Sequence, residues 1–185
     1  LTRPSPISAL TRSRDNPLAV LSALSSRSPS CPVVPVIMDS PAFIARQMGM
    51  VIELTSGALA TLLEEATWAH PRECCGLLLG SDQEIETARP CANVADDPAT
   101  GFEIDPAALI AAERAMRQGG PQLIGHYHSH PNGRSEPSPR DAASAAADGR
   151  LWLIIAGRAV TVWQAVRGGA VHGAFEPVAL RLSDG

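Results

Sequence analysis

Three of the five histidines in this 185-residue chain occupy alternate positions, at His126, His128 and His130. They follow an apolar Leu-Ile pair, and alternate residues of an extended strand project from the same face. His128 and His130 can therefore direct their imidazoles at one ion while the backbone stays extended. Pro131 and the Asn-Gly pair after it then end the strand. This stretch predicts a buried strand whose end carries two metal-binding side chains.

The chain resumes after this break with Pro-Ser-Pro-Arg-Asp at residues 137–141, which indicates a helix N-terminus that carries the acid Asp141. Two histidines and one carboxylate provide three ligands for a zinc ion and leave the fourth tetrahedral position open for water. An open position of this kind distinguishes a hydrolytic zinc site from a structural one. The alternative is that the histidines only form hydrogen bonds inside a folded core.

His126 lies on the same face as the other two histidines and is the alternative third ligand. A strand rises by about 3.3 Å per residue, so the backbones of His126 and His130 would lie about 13 Å apart. A single zinc ion requires nitrogen ligands at about 2.0–2.1 Å, and three successive residues on one strand face rarely converge that closely. We therefore predict Asp141 as the third ligand and place His126 beside the metal site or in the core.

A hydrolytic zinc site also needs a general base that accepts a proton from water. Glu73 is the favoured candidate because it lies at the junction between the first predicted helix and the apolar run 74–80. A carboxyl group at the edge of a buried strand is partly desolvated, and desolvation raises its pKa toward a value useful for proton transfer. The alternative is an ordinary solvated acid in a loop.

Ser138 lies three residues before Asp141, and this spacing is typical of the residue that caps a helix N-terminus. Its hydroxyl group could instead face the zinc ion and donate a hydrogen bond to a developing oxyanion, and the two roles are compatible. Cys74 and Cys75 are adjacent and are expected in the core. His172 is expected in a terminal strand without a partner.

Hydrophobic periodicity predicts one α/β domain with a mixed central β-sheet flanked by helices. The apolar run 74–80, bounded by glycines, is typical of a central strand that is buried on both faces. The predicted strands are 51–54, 74–80, 84–94, 123–130, 151–156, 159–166 and 170–182. The predicted helices are 55–70, 106–118 and 140–147.

The N-terminal segment, residues 1–49, contains seven Pro and nine Ser without a regular period, and we expect it to be mostly disordered. Because it is rich in Arg and poor in acids, an organelle transit peptide is the alternative. The domain at residues 50–185 carries ten Arg against 17 acids, which argues against binding to nucleic acid. No apolar stretch is long enough to span a membrane, and the four cysteines do not form a secreted disulfide framework. We therefore expect a cytoplasmic protein that does not act at a membrane.

The spacing of the candidate site residues resembles the JAMM (MPN-plus) metallopeptidase family in its compact prokaryotic form. The signature of this family is an upstream Glu, then His-x-His-Pro, six residues, Ser, two residues and Asp. The chain provides Glu73, His-Ser-His-Pro from His128, then Ser138 and Asp141 at these spacings. The resemblance covers about residues 50–182.

This resemblance implies a single MPN domain of the cytidine-deaminase-like α/β class, with one Zn²⁺ per chain held by His128, His130 and Asp141. It implies that Glu73 is the general base and that Ser138 stabilises the oxyanion. The implied reaction is hydrolysis of a peptide or isopeptide bond at the C-terminal tail of a ubiquitin-like or sulfur-carrier protein, through attack by zinc-bound water.

Two competing functions are weaker on the same residues. An MPN domain can bind a protein tail without cleaving it, but non-catalytic relatives lose metal ligands and this chain retains each of them. A nucleoside or base deaminase requires His-x-Glu and a distant Pro-Cys-x-x-Cys motif. The sequence contains neither motif.

Overall fold

The computed structural model describes residues 50–183, so the expectation of disorder in residues 1–49 lies outside the described residues. The strands of this part are β1 Val51–Thr55, β2 Cys75–Gly80, β3 Glu84–Cys91, β4 Gln122–Ser129, β5 Leu151–Ala156, β6 Ala159–Gly169 and β7 Gly173–Ser183. The helices are α1 Ser56–Ala69, α2 Pro106–Arg117 and α3 Pro139–Ser144. Within the described range, no helix combines the length and the apolar character that a membrane span requires.

The strands form one sheet that closes into a barrel in the order β1-β3-β2-β4-β5-β6-β7. β1 runs parallel to both β3 and β7, and β4 runs parallel to β5, while the other neighbours are antiparallel. The prediction of one α/β domain with a mixed sheet and flanking helices is confirmed. Closure was not predicted, because it pairs Val51 with Ala179 across nearly the whole domain and no local pattern encodes such a contact.

Strands β2 and β5 are buried along their whole length. The packing on both faces of β2 explains why its sequence is continuously apolar. On one face, Leu78 of β2 and Leu153 of β5 belong to the same apolar cluster as Leu62 of α1. On the other face, Leu77 of β2 packs with Ala112 of α2. The predicted central strand therefore has a helix on each side, and neither face can carry polar residues.

Local signals account for the starts of the two longer helices. The side chain of Thr55 accepts a hydrogen bond of 3.2 Å from the N–H of Ala58 and caps α1. Asp105 caps α2 in the same way, by accepting 2.8 Å from the N–H of Ala107. Pro106 occupies the first turn of α2, where the missing N–H of proline has no consequence.

Glycines allow the strand that carries the histidines to lie close to its neighbours. Gly125 of β4 pairs with Leu151 of β5, and a Cβ atom at Gly125 would overlap the Leu151 carbonyl oxygen. On the other side, a Cβ atom at Gly76 of β2 would lie 2.6 Å from Cε1 of Tyr127. These close approaches hold β4 in register between β2 and β5.

The turn between β6 and β7 lies at residues 170–172, where a strand was expected. β6 continues to Gly169 and β7 begins at Gly173. His172 is therefore in a turn, with a φ of 52° in the left-handed region, and its Nε2 lies 3.1 Å from the carbonyl oxygen of Pro137. The expectation that His172 lacks a partner was wrong, because this contact joins residues 35 positions apart in the sequence.

Candidate metal centre

The two histidines at the end of β4 bring their imidazoles together, with the Nε2 atoms of His128 and His130 3.0 Å apart. His128 is fully buried and pairs with Cys75 of β2 and Ile154 of β5, so both neighbouring strands set its position. His130 lies one residue beyond β4, and its backbone N–H donates to the carbonyl oxygen of Ile155 at 2.8 Å. The backbone hydrogen bonds of the sheet thus determine where both rings lie.

Helix α3 brings the carboxylate of Asp141 against both rings. Its Oδ1 lies 3.5 Å from Nε2 of His128, and its Oδ2 lies 3.4 Å from Nε2 of His130. The N–H of Ser138 donates to Oδ2 of Asp141 at 2.6 Å, and the N–H of Asp141 donates to Oγ of Ser138 at 3.1 Å. This reciprocal pair is a capping box, which fixes the orientation of the carboxylate as well as the start of the helix.

The separations between the two Nε2 atoms and the carboxylate oxygens of Asp141 suit coordination of one ion. Ligand atoms at about 2.0–2.1 Å from a zinc ion, at tetrahedral angles, lie about 3.3–3.4 Å from one another. The two Nε2 atoms lie 3.0 Å apart, and each lies near a different oxygen of Asp141, at 3.5 Å for His128 and 3.4 Å for His130, so all three contacts are close to that value. All three residues are buried, and their nitrogen and oxygen donors belong to the set that zinc accepts. The group of His128, His130 and Asp141 can therefore hold a metal ion.

The surroundings of the two rings favour metal binding through Nε2. Nδ1 of His130 lies 2.7 Å from the carbonyl oxygen of Arg134, and a proton donated there leaves Nε2 free for a metal. His128 stacks on Phe102 with ring centroids 4.2 Å apart, and within residues 50–183 its Nδ1 has no hydrogen-bond partner. Burial lowers the pKa of His128, which favours the neutral ring that binds metals.

Hydrogen bonds within the group shift the pKa values of His130 and Asp141 in opposite directions. Burial lowers the pKa of His130, but hydrogen bonds to Asp141 and to the Arg134 carbonyl outweigh burial, so the pKa is raised. Burial raises the pKa of Asp141, but hydrogen bonds from the two imidazoles outweigh burial and hold this pKa well below its usual range. Asp141 is therefore ionised, and the place between the three side chains stabilises positive charge.

Glu73 lines a cavity of about 310 Å³ together with Ser138 and Asp141. Its side chain is buried, with a residue exposure of 9%, and is not a solvated loop acid. Burial raises the pKa of Glu73 from 4.5 to about 7, and the charge of Asp141 adds to the increase, while His130 and Arg140 oppose it. A carboxyl group with this pKa is partly ionised at neutral pH and can both accept and return a proton.

His126 lines the same cavity but lies outside the metal-binding group. Its ring packs edge-on against Trp152, with centroids 4.1 Å apart, and lies 5.9 Å from Phe102. Burial lowers the pKa of His126 to about 3, so its ring is neutral. The structure therefore places His126 beside the metal group as a packing residue.

Two contributors to the site were missed from the sequence. Phe102 covers His128, and the loop between β3 and α2 holds the backbone of Glu73 on both sides. The N–H of Glu73 donates to the carbonyl oxygen of Pro98 at 2.7 Å, and Nδ2 of Asn93 donates to the carbonyl oxygen of Glu73 at 2.9 Å. The Asn-Val-Ala-Asp-Asp-Pro sequence signals a turn here, but it does not encode the contact with Glu73.

Strand β4 of the mixed sheet ends in the two histidines, and the N-terminus of α3 beside it supplies the carboxylate. This arrangement is that of an MPN-type domain with a metal-binding group. Residues 55–167 match a family described as prokaryotic homologs of the JAB domain. The chain belongs to this family. The resemblance to compact prokaryotic JAMM proteins, inferred from the motif residues, is thereby confirmed.

Two curated relatives are similar to most of the domain. The desampylase of Haloferax volcanii is 30% identical over 110 residues, which are 58% of this chain and 79% of the relative. A protein of Thermus thermophilus, named a probable TtuB-protein conjugate cleaving protease, is 41% identical over 101 residues. That match covers 52% of this chain and 65% of the relative, slightly less than two thirds of its length.

Solved structures show the same fold. The solution structure of a protein from Desulfitobacterium hafniense has a TM-score of 0.63 and 26% identity, and the match covers 74% of this chain and 94% of that one. A solution structure from Salinibacter ruber has a TM-score of 0.50 and 22% identity, with 72% of this chain and 92% of that one covered. These likenesses support a single domain of this fold.

Proposed function

We propose that this protein is a cytoplasmic, zinc-dependent peptidase or isopeptidase that hydrolyses the bond at the C-terminal tail of a ubiquitin-like or sulfur-carrier protein. The observation that carries the proposal is the convergence of His128, His130 and Asp141 to within 3.0–3.5 Å of one another, next to the buried Glu73. The names of the two relatives, a desampylase and a conjugate cleaving protease, support cleavage of a protein conjugate as the reaction.

In this proposal one Zn²⁺ per chain is held by Nε2 of His128, Nε2 of His130 and the carboxylate of Asp141. When bound, zinc supplies a Lewis acid that polarises the scissile carbonyl group and lowers the pKa of water. The ligands need no rearrangement of the backbone, because β4 and the capping box already hold them. Phe102 covers one side of His128, and this apolar cover limits the access of water to the site.

Glu73 is the proposed general base. It accepts a proton from the attacking water and returns the proton to the leaving amine. Burial raises its pKa toward neutrality, which supports both steps, because such a carboxyl group exchanges a proton more readily near neutral pH than a solvated one. Its place in the cavity that Asp141 and Ser138 also line supports this role.

Ser138 is the proposed oxyanion stabiliser, and its capping contact is compatible with this role. Its Oγ accepts a hydrogen bond from the N–H of Asp141, which uses a lone pair and leaves the hydroxyl proton free to donate. Because Ser138 lines the cavity, that proton can point toward a developing oxyanion. In this proposal one side chain performs both roles that the sequence suggested, capping the helix and stabilising the oxyanion.

The cavity suits a short extended segment and is too small for a globular protein. Its lining includes Glu73, Phe102, Trp152, Leu109 of α2 and Arg150. We propose that the tail of the carrier enters this cavity, and that the rest of the carrier stays outside.

The test uses the full chain, stripped of metal with a chelator and reloaded with zinc. The substrates are a ubiquitin-like carrier extended by one residue and the same carrier linked to a lysine, with products measured by mass spectrometry. We expect zinc-dependent cleavage after the carrier's last residue, and loss of cleavage in Glu73→Gln and His128→Ala. Glu64→Gln, an exposed residue on α1, is the matched control and should cleave like the wild type. Zinc-independent cleavage, or full activity of Glu73→Gln, would overturn the proposal.

A further inference from the structure

The segment between β3 and α2 folds back on itself and contacts the backbone of Glu73. We call residues 92–105 the strap. Asn93 and Ile104 form an antiparallel bridge at its base, and the carbonyl oxygen of Pro98, near its tip, accepts the N–H of Glu73 at 2.7 Å. The strap, which leads directly into α2, therefore holds the backbone of Glu73 two residues before β2 begins.

The side chain of Asn93 uses its full hydrogen-bonding capacity at the centre of this arrangement. Its Nδ2 donates to two carbonyl oxygens, that of Glu73 at 2.9 Å and that of Gly101 at 3.1 Å. Its Oδ1 accepts from two backbone N–H groups, that of Ala95 and that of Glu103, each at 3.1 Å. The acceptor side of the amide thus shapes the strap itself, while the donor side fastens Glu73 to the strap.

These backbone contacts matter because the carboxyl group of Glu73 has few restraints of its own. Within residues 50–183, no hydrogen bond to this carboxyl group is found, so its position follows from its backbone and from packing in the cavity. The backbone is held on both sides, through its N–H by Pro98 and through its carbonyl by Asn93. A shift of the strap would therefore move Glu73.

The strap is also fastened to the helix that carries the metal-binding carboxylate. Nη1 of Arg140 donates to the carbonyl oxygen of Thr100 at 3.2 Å. The guanidinium group packs against Gly101, where a Cβ atom would lie 2.6 Å from Cζ of Arg140. Arg140 directly precedes Asp141, so the strap links Glu73 and Asp141 although they come from different elements.

We propose that Asn93 is a positioning residue for hydrolysis: the two donor hydrogens of its amide fix Glu73, through the strap, at the distance from the metal-binding group that proton transfer requires. This inference rests on the proposed function, because it assigns Glu73 the role of base. Asn93 touches neither substrate nor metal in this account, and it acts only through Glu73. Misplacement of a reacting group by about 1 Å can cost about 10²-fold in rate, which sets the size of the effect.

The decisive comparison is between Asn93→Asp and Asn93→Ala in the full chain. Asn93→Asp keeps the oxygen that accepts from Ala95 and Glu103 but removes both donors, whereas Asn93→Ala removes all four hydrogen bonds. We expect both variants to lower kcat about 10–100-fold, with KM and zinc affinity close to those of the wild type. Thr55→Val, which removes the cap of α1, is the control for a general loss of stability and should retain kcat.

A second measurement requires neither metal nor activity. Amide hydrogen exchange in the chelated protein reports how firmly the N–H of Glu73 is held by Pro98. We expect exchange at Glu73 to be about tenfold faster in Asn93→Asp than in the wild type, while exchange in β4 stays unchanged. This readout does not involve catalysis, so an effect of the new carboxylate on the reaction itself does not enter it.

The outcomes separate this inference from the proposed function. If Glu73→Gln is inactive while Asn93→Asp has wild-type kcat and wild-type exchange at Glu73, the positioning role is wrong and the proposed function stands. A loss of kcat in Asn93→Ala alone would also overturn the role, because only the shape of the strap would then matter. A parallel loss of zinc affinity in both variants would overturn it as well. If Glu73→Gln is fully active, the proposed function itself fails.

Discussion

The raised pKa of Glu73 makes a prediction about stability that does not depend on any substrate. In the chelated protein, Glu73→Gln should be more stable than the wild type at pH 8, and the difference should be much smaller at pH 5. Glutamine resembles the protonated carboxyl group in shape and hydrogen bonding, but it does not titrate. The comparison therefore isolates the free energy of ionising Glu73 in its buried place.

The sign follows from the two pKa values. In the unfolded chain the carboxyl group ionises near 4.5, whereas in the folded protein burial holds its proton until the pH reaches about 7. Between these values the folded wild type binds more protons than the unfolded chain, so its free energy of unfolding falls as the pH rises. The advantage of Glu73→Gln therefore grows from pH 4.5 and becomes constant above about pH 7.

The magnitude has a ceiling of about 3.5 kcal/mol, because each pKa unit between 4.5 and about 7 is worth about 1.4 kcal/mol. The cavity opens to solvent, and screening there reduces the expected difference to about 1–2 kcal/mol. Urea unfolding of both proteins at pH 5 and pH 8, with a chelator present, measures it. Glu64→Gln, on the exposed side of α1, should change the free energy of unfolding little at either pH. Equal differences for Glu73→Gln at the two pH values would refute the account of a desolvated Glu73.

Three further predictions concern the metal-binding group and its supports. Asp141→Asn should abolish tight zinc binding in a titration of the chelated protein, because it removes the anionic donor of the group; wild-type affinity would contradict its assignment as a ligand. Ser138→Ala should lower kcat about 10²-fold and the free energy of unfolding by about 1 kcal/mol, and an unchanged kcat would limit Ser138 to capping. Gly125→Ala should destabilise the fold by about 1–3 kcal/mol in urea unfolding, because its Cβ atom would overlap the Leu151 carbonyl oxygen. Gly57→Ala, with open space around it, is its control, and equal stability of the two variants would contradict this packing argument.

The metal-binding group could be predicted from sequence because its determinants are local. Alternation along a strand brings His128 and His130 together, and the capping pattern of Ser138 and Asp141 starts the helix that faces them. The burial that makes Glu73 a candidate base was likewise predicted from its place at the edge of an apolar run. Each inference depends on residues within one or two elements, where periodicity and capping are informative.

Most of the features that were not predicted depend on contacts between distant segments. Closure of the barrel pairs β1 with β7, the partner of His172 lies 35 residues away, and Asn93 reaches Glu73 across 20 residues. Local propensity was also overridden in α3, where an alanine-rich run predicted helix to residue 147. The helix ends at Ser144, and the backbone of Ala145 is extended, with φ −72° and ψ 125°.

Glu73 and Asp141 line the same cavity, and the ionised state of one affects the pKa of the other. Asp141 is ionised, and its negative charge contributes to the raised pKa of Glu73. A divalent cation held by His128, His130 and Asp141 would cancel that charge, and the pKa of Glu73 would then fall. In the proposed function, metal loading and ionisation of Glu73 would therefore be coupled, since Glu73 retains its proton more firmly when no cation is bound. Burial would still raise the pKa of Glu73 with or without a cation, because the fold around Glu73 produces this burial.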